Sequence, residues 1–536
     1  MKVFINRHTT HIEYSSTPNY TSQHMILFGR IDKIHTDGGA IWSPDFSQIE
    51  SFLDQNEVDA IYKNISSLEG QYLLIWYKEG KYCFFCDRYC INTLYYRISP
   101  DMIEIFDQIL AQESNLAINQ SVILSFLLFG YIPGRQTLFQ DIFRIMPGEC
   151  LVLDTSTGEF HINVGCVYPK IDLVEYENDD LVAEKFHDLF REALENRINK
   201  YNSTETLLLP LSGGLDSRYV LGTTLELVSP ARIIAMTFGQ KGSFDFEISK
   251  LVARMAGVRH LVYPITTDNY DTKSLRANCL DTDGQIFFTT EAPIEIYHSL
   301  AEYGKITLSG YIGDAIMGDQ LRYDIPSCRK DIPISDTRVR IGDPLAHYLD
   351  DVLIQSSFYY DIGFDTPLDP AELWFFINHF TKYTNYCVFK YREHFTYISP
   401  FIDYAFIDYI LNLPKEMRMN RRLYFSWFQE HFKTLADLPC TFYRGVSLSS
   451  SARKKFIARQ WDHVLHYGFG INRGINKIDL FRYRRQVLGP DISIYQVYSK
   501  LPSDFAKTFN KSQYYFLHYS LKSLEVLCTD FNVSFI

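Results

Sequence analysis

The chain of 536 residues is 46% hydrophobic and 22% charged, with a formal net charge of -12 and a pI near 5.7. That length can bury two ordinary cores, and the acidic balance argues against a partner held by its phosphate backbone, so no nucleic acid is expected. No apolar stretch reaches the roughly 18 residues of a membrane span, and Lys2, Arg7 and the polar residues 9–22 build no signal peptide. The expectation is a cytoplasmic protein with no membrane contact. Basic runs at 418–422, 453–455 and 482–485 read as solvated faces.

In chain order, residues 1 to about 165 end in a hairpin, with strands at 148–153 and 160–162 around a turn at 154–158. Within this part, residues 82–96 read as strand, turn, strand. Cys83, Cys86 and Cys90 have a spacing that metal sites use, but their aromatic and β-branched surroundings make them buried thiols. The seven other cysteines are scattered without ligand spacing and read as free thiols. A linker at 168–180, with Pro169 and several acids, leads to residues 181–198, where apolar residues recur at helical spacing.

Residues 206–211 form a short, continuously apolar run, the mark of a buried parallel strand, and residues 219–227 continue as a helix. Strands at 233–238 and 305–309 alternate with a helix at 246–256, the pattern of a doubly wound parallel sheet. Such sheets bind ligands beyond the carboxyl ends of their strands. Residues 212–217, Thr237-Phe238-Gly239 and 309–314 all fall there. Beyond residue 470 the chain is rich in Tyr and Phe but carries no motif, and it reads as a helical extension of unknown role.

The segment Leu211-Ser212-Gly213-Gly214-Leu215-Asp216-Ser217-Arg218 places a glycine-rich turn between strand and helix. Gly213 and Gly214 let the backbone approach a polyphosphate, and the N–H groups at the helix start favour an anion. Ser212 and Ser217 add hydroxyl donors, and Asp216 offers an oxygen to the Mg²⁺ that accompanies ATP. No Gly-Lys-Ser/Thr follows, which excludes a Walker-type loop.

This loop resembles the Ser-Gly-Gly-x-Asp-Ser loop of the asparagine synthetase and β-lactam synthetase family. A second family segment, Ser-Gly-Glu-Gly-Ala-Asp-Glu-Leu-Phe-Gly, is matched by Ser309, Gly310, Asp314 and Gly318 within 309–318. A third, Arg-x-Pro-Phe-Leu-Asp followed by a helix and Leu-Pro, is matched by Pro400-Phe401-Ile402-Asp403 and Leu413-Pro414. The resemblance extends to the first part through Leu68-Glu69-Gly70-Gln71, Cys86-Asp87-Arg88, Gly130-Tyr131-Ile132-Pro133-Gly134 and Met146-Pro147-Gly148-Glu149. It implies an Ntn-type αββα sandwich at 1–165, a doubly wound, adenine nucleotide α hydrolase-like synthetase domain at 181–470, and the extension at 471–536.

The family's glutaminase domain needs a cysteine as its mature first residue. This chain begins Met1-Lys2-Val3 and its first cysteine is Cys83, so the sandwich is expected to lack glutaminase activity. The resemblance implies ATP and Mg²⁺ as cofactors, Asp216 and Asp314 as metal ligands, and Leu211 to Ser217, Ser309 and Gly310 around the nucleotide. Thr237, Phe238 and Gly239 are expected to border the adenine. Asp245 and Glu247 start the next helix, where acids suit the dipole without any catalytic role.

Two departures bear on the substrate. Tyr311 stands at the family's motif glutamate, and β-lactam synthetases place there the Tyr of a Tyr-Glu pair that deprotonates an amine. Its acid partner would be Glu372 or Glu393. Val446 stands where the family has a lysine that stabilises the adenylating transition state, so Arg444 or Arg422 must supply the cation. The expectation is an ATP-dependent, AMP-forming amide synthetase that joins a small-molecule or peptide carboxylate to an amine whose source is not glutamine. An intramolecular lactam cyclase of β-lactam or lasso-peptide type is one form of it. An ammonia-fed asparagine synthetase and a catalytically decayed ATP-binding protein are the alternatives, and a homodimer or a pathway partner protein is compatible with each.

Overall fold

A computed structural model describes residues 2–6, 9–13, 17–36, 38–99, 102–111, 115–171, 178–266, 272–286, 294–319, 321, 366–368, 370–389, 392, 394–465, 503 and 516–534. The strands of the first part are β1 (Lys2–Asn6), β2 (Thr9–Glu13), β3 (Tyr20–Thr21), β4 (Met25–Thr36), β5 (Gly39–Trp42) and β6 (Leu68–Lys78). They continue with β7 (Lys81–Cys86), β8 (Tyr95–Ile98), β9 (Met102–Phe106), β10 (Phe143–Arg144), β11 (Glu149–Asp154) and β12 (Phe160–Val164). They pair into two antiparallel sheets, ordered β10-β8-β9-β1-β2 and β12-β11-β7-β6-β4-β3, with β5 on β4.

Successive strand residues point to opposite faces, and both faces of these sheets are apolar. Ile26, Phe28, Leu73, Ile75 and Phe84 share a core with Tyr96, Ile103 and Ile105 of the other sheet. Leu27, Leu74, Trp76 and Phe85 back onto Ile49 and Leu53 of α1 (Phe46–Asp54). On the far side, Tyr95 and Phe106 join the core that holds Phe126 and Leu127 of α2 (Ile123–Phe129). The layers therefore run helix, sheet, sheet, helix. Cys83, Cys86 and Cys90 are buried free thiols inside it, with the Cys86 and Cys90 sulfurs 3.3 Å apart.

After α3 (Asp179–Ile198), five strands form one sheet: β13 (Leu207–Pro210), β14 (Ile233–Gly239), β15 (Arg259–Pro264), β16 (Ile306–Leu308) and β17 (Thr396–Ile398). Their order is β15-β14-β13-β16-β17, all parallel. They alternate with α4 (Asp216–Leu227), α5 (Phe244–Ala256), α6 (Thr272–Asp281) and α7 (Ile294–Ala301). The order reverses between β13 and β16, and that crevice is where a doubly wound sheet holds ligands.

The two parts share one core, which runs from Tyr89 and Phe126 through Leu207 to Leu209 and on to Leu524 and Leu527. Charge also crosses the seam. Arg197 of α3 is buried against Glu69, Asp403 (2.9 Å) and Asp32 (3.7 Å), and Lys200 holds Asp32 at 2.9 Å. Arg88 makes a two-pronged pair with Asp408. Removing one partner from a buried network leaves uncompensated charge, so Arg197→Ala should cost about 3–5 kcal/mol. A loss under about 1 kcal/mol in a urea melt, the scale of an exposed pair, would show that the seam does not need this cation.

The extension ends in the helix Phe516–Asp530, which returns to the body. Leu527 packs on Gly284, the Asp530 carbonyl accepts from Arg276 (2.6 Å), and Ser534 exchanges backbone bonds with Leu116 and Ile118 (both 2.8 Å). The preceding residues 471–502 lie outside the described ones. No described helix is long and apolar enough to cross a membrane.

Candidate active site

The chain leaves β13 at Leu211, which is tied to β14 twice. Its N–H donates to the Met236 carbonyl (2.8 Å), and its own carbonyl accepts the Thr237 hydroxyl (2.6 Å). The loop then closes on itself: Ser212 N–H donates to Ser217 Oγ (3.2 Å), Gly214 N–H to Ser212 Oγ (3.0 Å) and Gly213 N–H to Asp245 Oδ1 (2.9 Å). The N–H groups of 212–214, expected to face phosphate, are thus engaged by side chains. Asp245, set aside as an ordinary first-turn acid, is a staple that also accepts from Thr441 Oγ1 (2.8 Å). Thr441 N–H in turn bonds the Gly213 carbonyl (2.9 Å), and a Cβ on Gly213 would fall 2.3 Å from Thr441 Oγ1. Arg218 completes the anchor from below: its buried guanidinium donates to the carbonyls of Gly213 (3.0 Å), Leu435 (3.0 Å) and Pro439.

Helix α4 is preceded at its cap position by Leu215, a buried residue with no side-chain acceptor, which makes no capping hydrogen bond to this terminus. The positive end of α4, at Asp216, Ser217 and Arg218, therefore keeps its capacity for an anion. Across the crevice, β16 runs into Ser309, whose N–H extends the ladder to Ile398 (2.8 Å). Gly310 follows, and a Cβ there would lie 2.8 Å from both Cα and N of Ser217. Only glycine allows that approach. Since the obstacle is backbone, Gly310→Ala should cost about 1–3 kcal/mol and weaken nucleotide binding with it; an unchanged melting temperature and affinity would refute the close approach. Ile312 has φ 63, a strained value for a β-branched residue, and it turns the chain toward Asp314.

Asp314 is exposed, its Oδ1 accepting from Ala315 N–H at 2.8 Å. The short helical turn Ala315–Asp319 follows. Gly318, at φ 99, lets this turn close onto the Arg418 carbonyl, which a Cβ would meet at 2.3 Å. The same contact brings in Arg421, a left-handed residue (φ 57) beside left-handed Asn420. Arg421 donates to Asp319 at 3.0 Å, lies 3.8 Å from Asp216, and covers the ring of Phe442 at 4.7 Å. Burial chiefly, together with the Asp314 and Asp319 charges, lifts the Asp216 carboxyl to about 7 against the pull of Arg421. Its Oδ1 is buried with no hydrogen-bond partner among the described residues. An orphaned oxygen beside a second carboxylate is an all-oxygen donor set, which suits Mg²⁺; Asp216 and Asp314 would hold it.

Thr237 is buried, its hydroxyl shared between Leu211 and His260 Nε2 (2.9 Å); Phe238 packs half-buried on the core, and Gly239 (φ 153) ends the strand. Tyr311 adjoins Gly310, with its ring edge-to-face on Phe389 (6.5 Å). Both carboxylate oxygens of fully buried Glu372 bond Arg418, at 2.7 and 3.2 Å, which commits them to that pair. Glu393 lies outside the described residues. Arg444 is 42% exposed and faces Asp462 at 3.5 Å, and Arg422 is 54% exposed and pairs with Asp179 at 2.7 Å. Arg421, next to Arg422 in sequence, is the residue that pairs with carboxylates of the crevice, at 3.8 Å from Asp216 and 3.0 Å from Asp319. Val446 lies on the hairpin Pro439–Cys440 with Val446–Ser447, which also carries Thr441 to the loop.

A switch-point crevice with a glycine loop, an uncapped helix start and opposed carboxylates has the design of an ATP-dependent synthetase domain. Residues 185–356 match the family model described as asparagine synthase. Over this span the chain is similar to the asparagine synthetase family, and the match supports membership for this domain. Among curated proteins it is similar to asparagine synthetase (glutamine-hydrolyzing) 1 of Bacillus subtilis (strain 168), 22% identical over 213 residues, which are 38% of this chain and 32% of that one. The match thus spans about a third of the relative. Among solved structures it is similar to an allosteric regulatory enzyme of purine biosynthesis (10% identity, TM-score 0.19, 48% of this chain and 66% of that chain). It is likewise similar to a glutamine phosphoribosylpyrophosphate amidotransferase from B. subtilis complexed with ADP and GMP (9%, TM-score 0.19, 48% and 76%).

Proposed function

We propose that this protein is an AMP-forming amide synthetase that activates a carboxylate with ATP and passes the acyl group to an amine other than glutamine-derived ammonia. The observation that carries this reading is the cluster at the switch point: Asp216 with its orphaned Oδ1, Asp314 and Asp319 opposite, and Arg421 among them. Mg²⁺ held by Asp216 and Asp314 would screen the phosphate charge that otherwise repels an attacking carboxylate. The uncapped start of α4 receives a phosphate group and cancels part of its charge. Arg421 supplies the planar, permanently charged donor fork that suits phosphate oxygens, the task that uncharged Val446 cannot perform. Asp245, Thr441 and Arg218 hold the loop, so little reorganisation is needed as charge develops.

An amine must lose a proton before it attacks, and Tyr311 lies next to Gly310, hence next to the loop. A phenol of ordinary pKa about 10 is a poor base alone and needs a charged neighbour beside it. Tyr311→Phe keeps the ring and removes the hydroxyl. ATP–pyrophosphate exchange should persist while amide formation falls by roughly 10²-fold or more; wild-type amide synthesis would return Tyr311 to packing. Glutamine offered with ATP should release no glutamate. Val446 favours one second reading, a protein that binds ATP without turning it over, and pyrophosphate release with any carboxylate excludes it.

A further inference from the structure

At the opposite end of α4 from the nucleotide loop, three helices bring together His187 of α3, Glu226 of the last turn of α4, and His431 at the end of the helix Arg422–His431. One ligand atom from each lies within 4.8 Å of the others. His187 Nε2 is 3.3 Å from Glu226 Oε2, and His431 Nε2 is 2.8 Å from Glu226 Oε1. The two imidazoles are 4.5 Å apart between ring centres.

We propose that His187, Glu226 and His431 form a binding site for a divalent transition-metal ion of the zinc class, distinct from the Mg²⁺ position at the nucleotide loop. Two imidazoles and a carboxylate are a donor set zinc uses, whereas Mg²⁺ prefers oxygen alone. Metal–ligand bonds of about 2.0–2.2 Å put tetrahedral neighbours roughly 3.3–3.5 Å apart, the separation already present between His187 and Glu226.

The surroundings are those of a built site. His187 has only 7% of its side chain exposed, and its Nδ1 is engaged by the Tyr219 hydroxyl at 2.9 Å, which leaves Nε2 directed at Glu226. A partner on the outer nitrogen is the usual means of orienting a metal-bound imidazole. His431 is fixed by a stack on Trp427, with ring centres 4.8 Å apart and planes at 15°. Glu226 and His431 are about one-third exposed, at 31% and 32%, so an ion can enter and keep a water as its fourth ligand. The ion would clip α3, α4 and Arg422–His431 together. Two of those helices begin at or directly after residues of the nucleotide cluster, Asp216 and Arg421.

The test is direct metal binding by the full-length protein, cleared of metal with a chelator and titrated with Zn²⁺ at pH 7.5. One equivalent should bind and raise the melting temperature, and Co²⁺ in its place should give the visible bands of a four-coordinate ion. Stoichiometric binding should be lost in His431→Ala and in the isosteric Glu226→Gln, while Tyr219→Phe should weaken it about 10–100-fold. Zinc-edge X-ray absorption on the wild type needs no variant: two imidazoles and oxygen support the site, and a sulfur shell places the ion on cysteines and overturns it. No stoichiometric binding by the wild type, or binding that survives in folded Glu226→Gln, overturns it too. None of these readouts depends on the synthetase reading.

Discussion

Asp216→Asn should sharply weaken Mg²⁺-dependent ATP binding while leaving the protein folded. The substitution keeps the shape of the side chain but removes the charge whose Oδ1 is buried without a partner among the described residues. Loss of one of two carboxylate ligands should lower affinity by roughly 10²-fold, about 2.7 kcal/mol, as read by calorimetry. The pH dependence has a definite sign. The Asp216 carboxyl titrates at about 7 in the folded state against an ordinary 3.8, so the native state holds its proton longer than the unfolded state does. At this residue, stability falls as pH rises from 4 to 7, while affinity for the cation rises over the same window. The variant lacks this titration. Its melting temperature should exceed the wild type's by an amount that grows between pH 5 and pH 8 in the absence of nucleotide. Equal melting profiles at both pH values, together with unchanged ATP affinity, would mean that the crevice is only a turn.

Arg421→Ala should have the second largest effect. Arg421 is buried between Asp216 and Asp319 and packed on Phe425 and Phe442. Its loss leaves acids facing one another without a cation, at a cost of about 3 kcal/mol. On the proposed function it also removes charge stabilisation from the phosphate, so ATP–pyrophosphate exchange should fall by about 10²–10³-fold. Arg421→Lys separates the two effects. It keeps the charge and should recover most of the stability, but not the donor fork, so exchange should recover only in part. Arg444→Ala and Arg422→Ala, both at exposed pairs, should change stability by no more than about 1 kcal/mol and leave exchange at the wild-type level. If Arg444→Ala matched the loss in Arg421→Ala, the cation would belong to the hairpin.

How much of this the sequence announced depended on whether a signal was local. The period of apolar residues placed α3, β13, β14, α5, β11 and β12 within about two residues of where they lie, since alternation and helical spacing are written into neighbouring positions. The glycines of the loop and of 309–318 were equally legible, because a close backbone approach excludes a Cβ wherever the segment later packs. What the chain cannot write locally is which partner arrives from far away. Asp245 was read as a first-turn acid because its neighbours explain it; its bonds to Gly213 and Thr441 span 32 and 196 residues. Glu372 was one of two candidate partners for Tyr311, and nothing near it in sequence announced Arg418, 46 residues on, which bonds both its oxygens. Arg421 and Arg422 are adjacent and chemically identical in sequence. The left-handed turn at Asn420 and Arg421, beside the contact of Gly318 with the Arg418 carbonyl, buries one and exposes the other. Composition and motif thus determined the sheet, the loop and the carboxylates of this protein. Which cation joined them was decided only when packing between distant segments chose the backbone conformation of a single corner.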